Sequence, residues 1–570
     1  MATRLPTRTK TALTILAAVA LVLSVTFPLF SSRLPMGHDT LEYLIRQVEF
    51  HQDLAKGTLL PQWAPDLAYG AGEPLFEFNP PMIYYLAEFW HLLGFAFVTS
   101  INLACVVLVA LSAWGMFLLG QLYFGSWGGW LAAVAYLYAP YFGVNLYVRG
   151  ALAEFAAFPF YAFCLFGFGA YARSRKRSHW LTGVLAYAGI LFSHNGAALF
   201  FTPLLLAFFL LTAYEARSWR TLVNQAAGWL LGLGLSACIW IPSLAEKKYV
   251  HLERLLQGWN RYSNYFVAAH EFVSTRWAYG GMRAAPYNRM SLSLGWSHLL
   301  LLLVAVAAGA RYRSASAWRW LVFFGGSTAI LCFLMTRWSA PIWDRVALLQ
   351  YVAFPWRMLG MASLCIALLI ATLGQSLQRR DHPGTAWYAA VLAFLIIPNI
   401  GHNRPILYRT EPEDKWTPRQ LAVEGREPTT LYEYMPLWVM RPPVYIPQQF
   451  LVAAGEAEVR VTTRTNTTWA AEVRADRGAV LDLAINYYPG WLVRIDGRTA
   501  PIMPANPSGL IRLEVPPGQH VVHASFERTR PRWSGEIITL CSLLVMGTLS
   551  VWPVIRKRKP TESGRPSSAA

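Results

Sequence analysis

Residues 11–40 read TALTILAAVALVLSVTFPLFSSRLPMGHDT, and their interpretation decides what kind of molecule this is. Thr11 to Phe30 is an unbroken apolar run, preceded by Arg4, Arg8 and Lys10. It is longer than the apolar core of a secretory leader and lacks a clear A-x-A cleavage site, so it is expected to stay on the chain as a first membrane helix. Immediately beyond it stand His38 and Asp39, polar groups at the mouth of an oily segment.

The rest of the chain is consistent with a membrane setting. Of 570 residues, 55% are hydrophobic and only 14% charged, with 24 Trp. Soluble domains carry roughly 25% charged residues. Further apolar runs fall at about 99–121, 127–146, 151–172, 179–194, 196–214, 225–242, 293–310, 317–336, 356–376, 384–400 and 534–555, which predicts about twelve spans. The formal charge of +18 does not point to nucleic acid, because Lys and Arg sit in short clusters between apolar runs. Arg173, Arg175, Lys176 and Arg177 form one cluster, followed by Arg217 and Arg220, then Arg311, Arg313 and Arg319, then Arg379 and Arg380. Arg556, Lys557, Arg558 and Lys559 close the series. With twelve spans this alternation places both termini in the cytoplasm. The six Cys lie inside apolar runs without a CxxC, which reads as burial rather than disulfide or zinc chemistry.

The expected domains are a membrane domain over 1–400, with outer loops 31–98 and 243–292, and a β-rich outer domain over 401–533. A final helix over 534–556 and a basic tail over 557–570 complete the chain. The β assignment rests on alternating segments such as AEVRVTTRT, AVLDLAINYY and HVVHASFER, with Asp496-Gly497 as a hairpin signal. A small sandwich tethered by the last helix is expected. Asn466-Thr467-Thr468 is a glycosylation sequon within it.

After MGHDT the chain reads as an amphipathic helix, with Leu41, Leu44, Ile45 and Val48 on one face and Glu42, Arg46, Glu49 and Asp53 on the other. Locally, Asp39 is a helix N-cap. Its company on the same side of the membrane suggests more. YVRGALAEF brings Arg149 and Glu154, LFSHNGAALF brings His194 and Asn195, and QYVAFPWRML brings Trp356 and Arg357. Ionisable groups at such depths face a cavity, a partner or a ligand. Each has an ordinary account: Arg149 pairing with Glu154, His194 ending a helix, Arg357 snorkelling. Together they predict one wet cavity suited to a phosphorylated substrate, with Arg149 and Arg357 binding phosphate. Trp63, Tyr84 and Tyr85 in GTLLPQWAPDLAYGAGEPLFEFNPPMIYYLAEFW, along with His38, Asn195 and Trp356, are candidate cavity walls. An interfacial aromatic belt explains the loop aromatics equally well.

GHDT, the first-loop run, RGALAEF, SHN, FPWRML and the late YYPGWLVRIDGR together resemble bacterial membrane proteins labelled 6-pyruvoyl-tetrahydropterin synthase-related and, near the C-terminus, YfhO-like proteins. The chain shows no soluble pterin-synthase domain. Both groups are similar to the GT-C superfamily of integral-membrane glycosyltransferases. The resemblance implies a multi-pass protein of the bacterial cytoplasmic membrane, drawing a sugar from a polyprenyl-phosphate donor and passing it to a glycan or lipid acceptor outside. It also implies that Asp39 is the catalytic base or metal contact, with Glu154 the second acid and His194 sharing a role. No tandem Asp-x-Asp stands in the first loop, so a divalent Mg or Mn ion on Asp39 and Glu154 is an open expectation. A transporter or flippase for a lipid-linked or anionic solute, and a non-catalytic envelope protein, are the alternatives.

Overall fold

The computed structural model describes residues 7–281, 288–312, 315–378, 385–426, 429, 431–441 and 444–557. Among these, seven helices are long and apolar enough to cross a membrane: Thr11–Leu29, Phe97–Leu137, Leu152–Ser174, Asn195–Glu215, Trp318–Met335, Pro355–Gln375 and Arg530–Ser550. An eighth is reached if Trp219–Leu235 and Ala237–Tyr249, bent by 67° at Ser236, form one broken span.

This is fewer than the expected twelve because several apolar runs form helices shorter than 18 residues or fold back within one run. Gly125, at φ 78, divides Phe97–Leu137 into two helices that fold back on each other, with the Phe117 and Trp130 rings 5.2 Å apart, and beyond Leu137 the expected 127–146 run continues as a short turn at Pro140 and a π-helical turn over Val144–Arg149. Arg177–Ser193 and Trp296–Tyr312 have 17 residues each and Thr385–Ile396 has 12. At 1.5 Å per residue Thr385–Ile396 falls short of a hydrocarbon core of about 30 Å, whereas Arg177–Ser193 runs back from the end of Leu152–Ser174 to the start of Asn195–Glu215 and so covers the same distance as those two helices. Helix length and composition alone do not set the parity of the crossings or the sides on which the chain's ends lie. Arg4, Arg313, Arg379, Arg380, Arg558 and Lys559 lie outside the described residues.

One consequence of the basic clusters does hold geometrically. Arg173, Arg175 and Arg319 gather around one pocket, while Arg149 and Arg357 line another. The Leu152–Ser174 helix has its first turn at the second pocket and its last at the first. Its 23 residues span about 34 Å, so the two sets of cations sit a bilayer apart.

The β segments form where alternation placed them. One antiparallel sheet orders Phe450–Gly455, Ala479–Asn486, Leu510–Val515 and Met503–Pro504, and a second orders Glu458–Arg464, Thr468–Ala475, Gly518–Phe526, Trp491–Ile495 and Arg498–Ala500. Along Thr468–Ala475 every second side chain from Trp469 to Ala475 is buried. These side chains meet Leu481, Leu483, Ile511 and Leu513 of the other sheet in one apolar cluster. Asp496 (φ 50) and Gly497 (φ 80) make the two-residue hairpin turn, which needs positive φ at both positions.

This module is clamped as well as tethered. Trp63 of the first loop inserts into its core, with ring centroids 5.3 Å from Phe526 and 5.6 Å from Trp491. Ala71 O accepts from Asn486 N at 2.8 Å, and Gly72 O accepts from the Asn486 side-chain amide at 2.8 Å. The polar face of Thr40–Ala55 is covered too. Arg46, Glu49 and Asp53 are buried, not solvated as amphipathic spacing suggests, because the β module and the rest of the first loop lie over them. Asn466 donates to Asp53 Oδ1 at 2.5 Å and accepts from Lys56, so the sequon asparagine is buried in a contact between modules.

Arg532, at the entry to the last helix, is fully buried. Its Nη2 lies 2.6 Å from Glu77 Oε2 and 2.8 Å from Glu246 Oε2, with the Phe526 ring 4.5 Å from the guanidinium carbon. Removing one member of a buried ion group leaves the others desolvated and uncompensated, an effect of about 3–5 kcal/mol. Arg532→Met is expected to lower unfolding stability in detergent by about that amount. A loss below about 1 kcal/mol would show that this knot does not hold the module in place.

Candidate functional site

The cavity is assembled from a backbone contact. The π-helical turn over Val144–Arg149 ends at Gly150, whose φ of +63 reverses the chain before the Leu152–Ser174 helix begins. The GHDT segment lies flat against this reversal: Arg149 O accepts from Asp39 N at 2.8 Å, and Val148 O from His38 N at 3.0 Å. Gly37 makes that approach feasible, since a Cβ there would stand 2.7 Å from Gly150 N and 2.9 Å from the Arg149 carbonyl carbon. Asp39 and Arg149 are thereby fixed side by side.

Glu154 sits in the first turn of its helix, where the helix dipole favours an anion. Four donors surround its carboxylate. Tyr141 OH donates to Oε1 at 2.7 Å and Asn145 Nδ2 to Oε1 at 2.8 Å; Arg149 Nη1 reaches Oε2 at 2.7 Å. Arg357 Nε lies 3.3 Å from Oε2. Arg149 also donates to Tyr141 OH at 3.0 Å and stacks over Trp356, with its guanidinium carbon 4.4 Å from the ring centre. Arg357 donates to Val352 O at 3.0 Å. The pairing of Arg149 with Glu154 is thus real, and Arg357 joins it from the other half of the chain.

Asp39, Arg149, Glu154, His194, Asn195 and Arg357 all line one cavity of about 690 Å³. Asp39 occupies the N-cap position of Thr40–Ala55 but makes no capping hydrogen bond, and no described residue donates to its carboxylate. It is half-buried and open to the cavity. His194 caps the Asn195–Glu215 helix, its Nδ1 accepting from Ala197 N at 3.0 Å. In the neutral ring Nε2 then carries the proton. His194 offers the cavity a donor and is therefore poorly placed to act as a base.

Several expected wall residues stand elsewhere. Trp63 is in the β module's core, and Trp356 lies beneath Arg149. Tyr84 is buried among Tyr43, Phe50 and Phe76. Tyr85 donates to Leu59 O, and His38 reaches Tyr279 O at 3.2 Å. None of the five lines the cavity. An aromatic-rich loop can pack on itself and on a neighbouring module, and this one does both. Nor do Asp39 and Glu154 fit a divalent ion. Both Glu154 oxygens are taken by donors, and among the described residues no group of three or more His, Cys, Asp or Glu is placed to hold a metal.

Sequence reasoning missed Glu42, Arg46, Lys247 and Glu433, which also line the cavity. Glu42 and Arg46 pair at 2.9 Å. Their i, i+4 spacing was visible as a helix-surface pair; the lid over it, from the segment around Glu433 and Tyr434, was not. Burial pushes the Glu42 carboxyl up to about 8, with Arg46 opposing and Asp39 adding to the shift.

No family model matches the chain, and no curated protein matches it. Solved structures similar to it include the arabinofuranosyltransferase AftD from Mycobacteria, at 16% identity and a TM-score of 0.45, over 70% of this chain and 28% of AftD. The oligosaccharyltransferase of Archaeoglobus fulgidus is 11% identical over 70% of this chain and 57% of its own, with a TM-score of 0.41. ArnT from Cupriavidus metallidurans, bound to undecaprenyl phosphate, is 14% identical over 72% of this chain and 77% of its own, with a TM-score of 0.39. The chain thus spans under a third of AftD and little more than half of the oligosaccharyltransferase. Likenesses of this degree carry no chemistry to the cavity, which stands on its own residues.

Because folded Glu42 holds its proton more tightly than the ordinary value of 4.5 allows, its contribution to stability is complete below 4.5 and lost as pH rises through about 8. Glu42→Gln keeps the neutral form at every pH. The melting temperature of Glu42→Gln minus that of wild type is expected to be near zero at pH 4 and positive at pH 9. A difference that falls with pH would contradict the assignment.

Proposed function

We propose that this chain is a membrane glycosyltransferase of the GT-C kind, related to the 6-pyruvoyl-tetrahydropterin synthase-related and YfhO-like proteins it resembles. It moves a sugar from a polyprenyl-phosphate donor to an envelope glycan or lipid on the outer face of the cytoplasmic membrane. The observation that carries this reading is the unpartnered carboxylate of Asp39 in the same cavity as Arg149 and Arg357.

The cavity has two characters. Beyond its charged end, the lining continues along membrane-length helices through Leu199, Pro203, Trp229, Leu233, Trp240 and Leu244. A polar head on a long apolar tail suits such a shape. The donor phosphate lies against Arg357 and Arg149, whose guanidinium groups bind phosphate oxygens in a fixed fork. Lys247, also in the lining, adds a third cation. His194 donates from Nε2 to the same phosphate. Glu154 holds both arginines in place and takes no proton.

In the reaction, the acceptor hydroxyl oxygen forms a bond to the anomeric carbon while its proton passes to Asp39. The anomeric carbon–oxygen bond to phosphate breaks, and the electron pair leaves on the phosphate oxygen, where the arginines stabilise the charge. Direct displacement inverts the anomeric centre. A positioned general base contributes on the order of 10²–10⁴-fold.

Asp39→Asn is expected to reduce sugar transfer by about 10²–10⁴-fold while leaving the melting temperature and the binding of polyprenyl phosphate unchanged. The check is mass analysis of envelope glycans and lipids in deletion, Asp39→Asn and wild-type strains. Identical envelopes in all three, with the protein expressed, would remove glycosyl transfer as the function. Normal turnover in Asp39→Asn with an altered deletion strain would remove Asp39 as the base.

A further inference from the structure

About 34 Å from the charged cavity, at the far ends of the same helices, lies a second pocket of about 550 Å³. Arg173 and Arg175 reach it from the end of the Leu152–Ser174 helix, Glu215 from the end of the Asn195–Glu215 helix, and Arg319 from the next basic cluster. Tyr123 and Gly169 are also in the lining. The exposed aromatics Tyr214, Trp219 and Trp318 neighbour these residues in sequence, as expected where helices leave the hydrocarbon for the headgroup layer.

The simplest account is that these arginines satisfy the negative ends of two helices. It explains some of what is there. Arg173 donates to the Leu122 carbonyl and lies over the Tyr123 ring, its guanidinium carbon 4.2 Å from the centre. Arg319 pairs with Glu215 at 3.2 Å. It leaves two features over. The Arg175 side chain makes no hydrogen bond or ion pair with any described residue and lies only over the Tyr171 ring, 5.8 Å from its centre, so three cations face one carboxylate. The Tyr123 hydroxyl is buried without a hydrogen-bond partner, at Gly169, where a Cβ would collide with it. A buried hydroxyl without a partner leaves a desolvated donor uncompensated, and here it does so beside surplus positive charge in a concave site.

We propose that this pocket binds the phosphate of an anionic phospholipid headgroup in the leaflet opposite the charged cavity. Phosphate oxygens accept from Arg173, Arg175 and Arg319 and from the Tyr123 hydroxyl, matching the excess charge and the missing acceptor together. The acyl chains lie along the outer surface of the helices, as they do for any lipid at that depth. Basic pockets between membrane helices hold anionic headgroups by this combination of charge and shape.

The test uses the full chain, purified, stripped of lipid and returned to detergent with phosphatidylglycerol, phosphatidylcholine or inorganic phosphate, with bound lipid read by native mass spectrometry. Wild type is expected to retain phosphatidylglycerol at least about fivefold more than phosphatidylcholine, with millimolar inorganic phosphate failing to displace it. The double variant Arg173→Gln/Arg319→Gln is expected to lose that preference. Arg217→Gln/Arg220→Gln removes the same charge from exposed positions outside the pocket and is expected to keep it. Arg175→Gln removes a side chain with no hydrogen-bond or ion-pair partner among the described residues, resting only over the Tyr171 ring; it is expected to fold normally and weaken retention severalfold, which keeps the test valid if the double variant misfolds. Equal losses in the pocket and control variants would overturn the proposal, as would no preference in wild type. Ready displacement by inorganic phosphate would assign the pocket to a free anion instead of a lipid.

Discussion

Glu154 is a carboxylate at the start of an apolar helix, and two guanidinium groups from opposite halves of the chain close on it. Neither arginine is stable there alone. Taking a charge out of water costs several kcal/mol even after relaxation, and two like charges at this spacing repel. With Glu154 ionised and held by Tyr141 and Asn145 as well, each cation has a partner and both keep donor capacity facing the cavity. The π-helical turn before Gly150 and the turn ahead of Pro355 exist in the geometry that this carboxylate rewards. The rest of the site is arranged around it.

The first loop is the second structural constraint. It runs from Asp39 at the cavity, through Trp63 inside the β module, to Glu77 at the Arg532 knot. One segment therefore joins the membrane helices, the cavity wall and the outer sheets. A change in how the β module sits would be felt at Glu433 and Tyr434, which line the cavity. The Phe78 and Tyr434 rings, parallel at 5.5 Å, form the direct contact between that segment and the first loop.

What could be read from the chain beforehand followed from local periodicity and from the expense of buried charge. The strands, the Asp496-Gly497 turn and the grouping of Asp39, Arg149, Glu154, His194 and Arg357 were all legible on those grounds. The number of spans was not, because hydropathy measures the length of an apolar run and is blind to the bend at Ser236 and to the turns at Pro140 and Val144–Arg149 inside a run. The burial of Arg46, Glu49 and Asp53 was not legible either. Amphipathic spacing separates polar from apolar faces but cannot say whether water or another module meets the polar one. The aromatic loop misled for a related reason: Trp63 and Tyr84 are as suited to a core as to a binding wall, and only tertiary packing chose.

The cavity separates its carboxylates by environment, and the proposed reaction makes use of that separation. Glu154 accepts three hydrogen bonds and is ion-paired with both arginines, which holds its charge inside the cluster. Glu42 is pushed up to about 8 by burial, so near neutral pH it carries a proton already. The Asp39 carboxylate accepts from no described residue, is half-open to the cavity, and is held by its backbone beside Arg149. For the reaction proposed above a base must be accessible and free of other donors, and of these three carboxylates only Asp39 meets both conditions. Had the helix captured Asp39 as its cap, the carboxylate would have pointed into the backbone amides and away from any acceptor. Thr40 instead accepts from Gly37 N at 2.8 Å, which holds the tight turn and leaves the aspartate free.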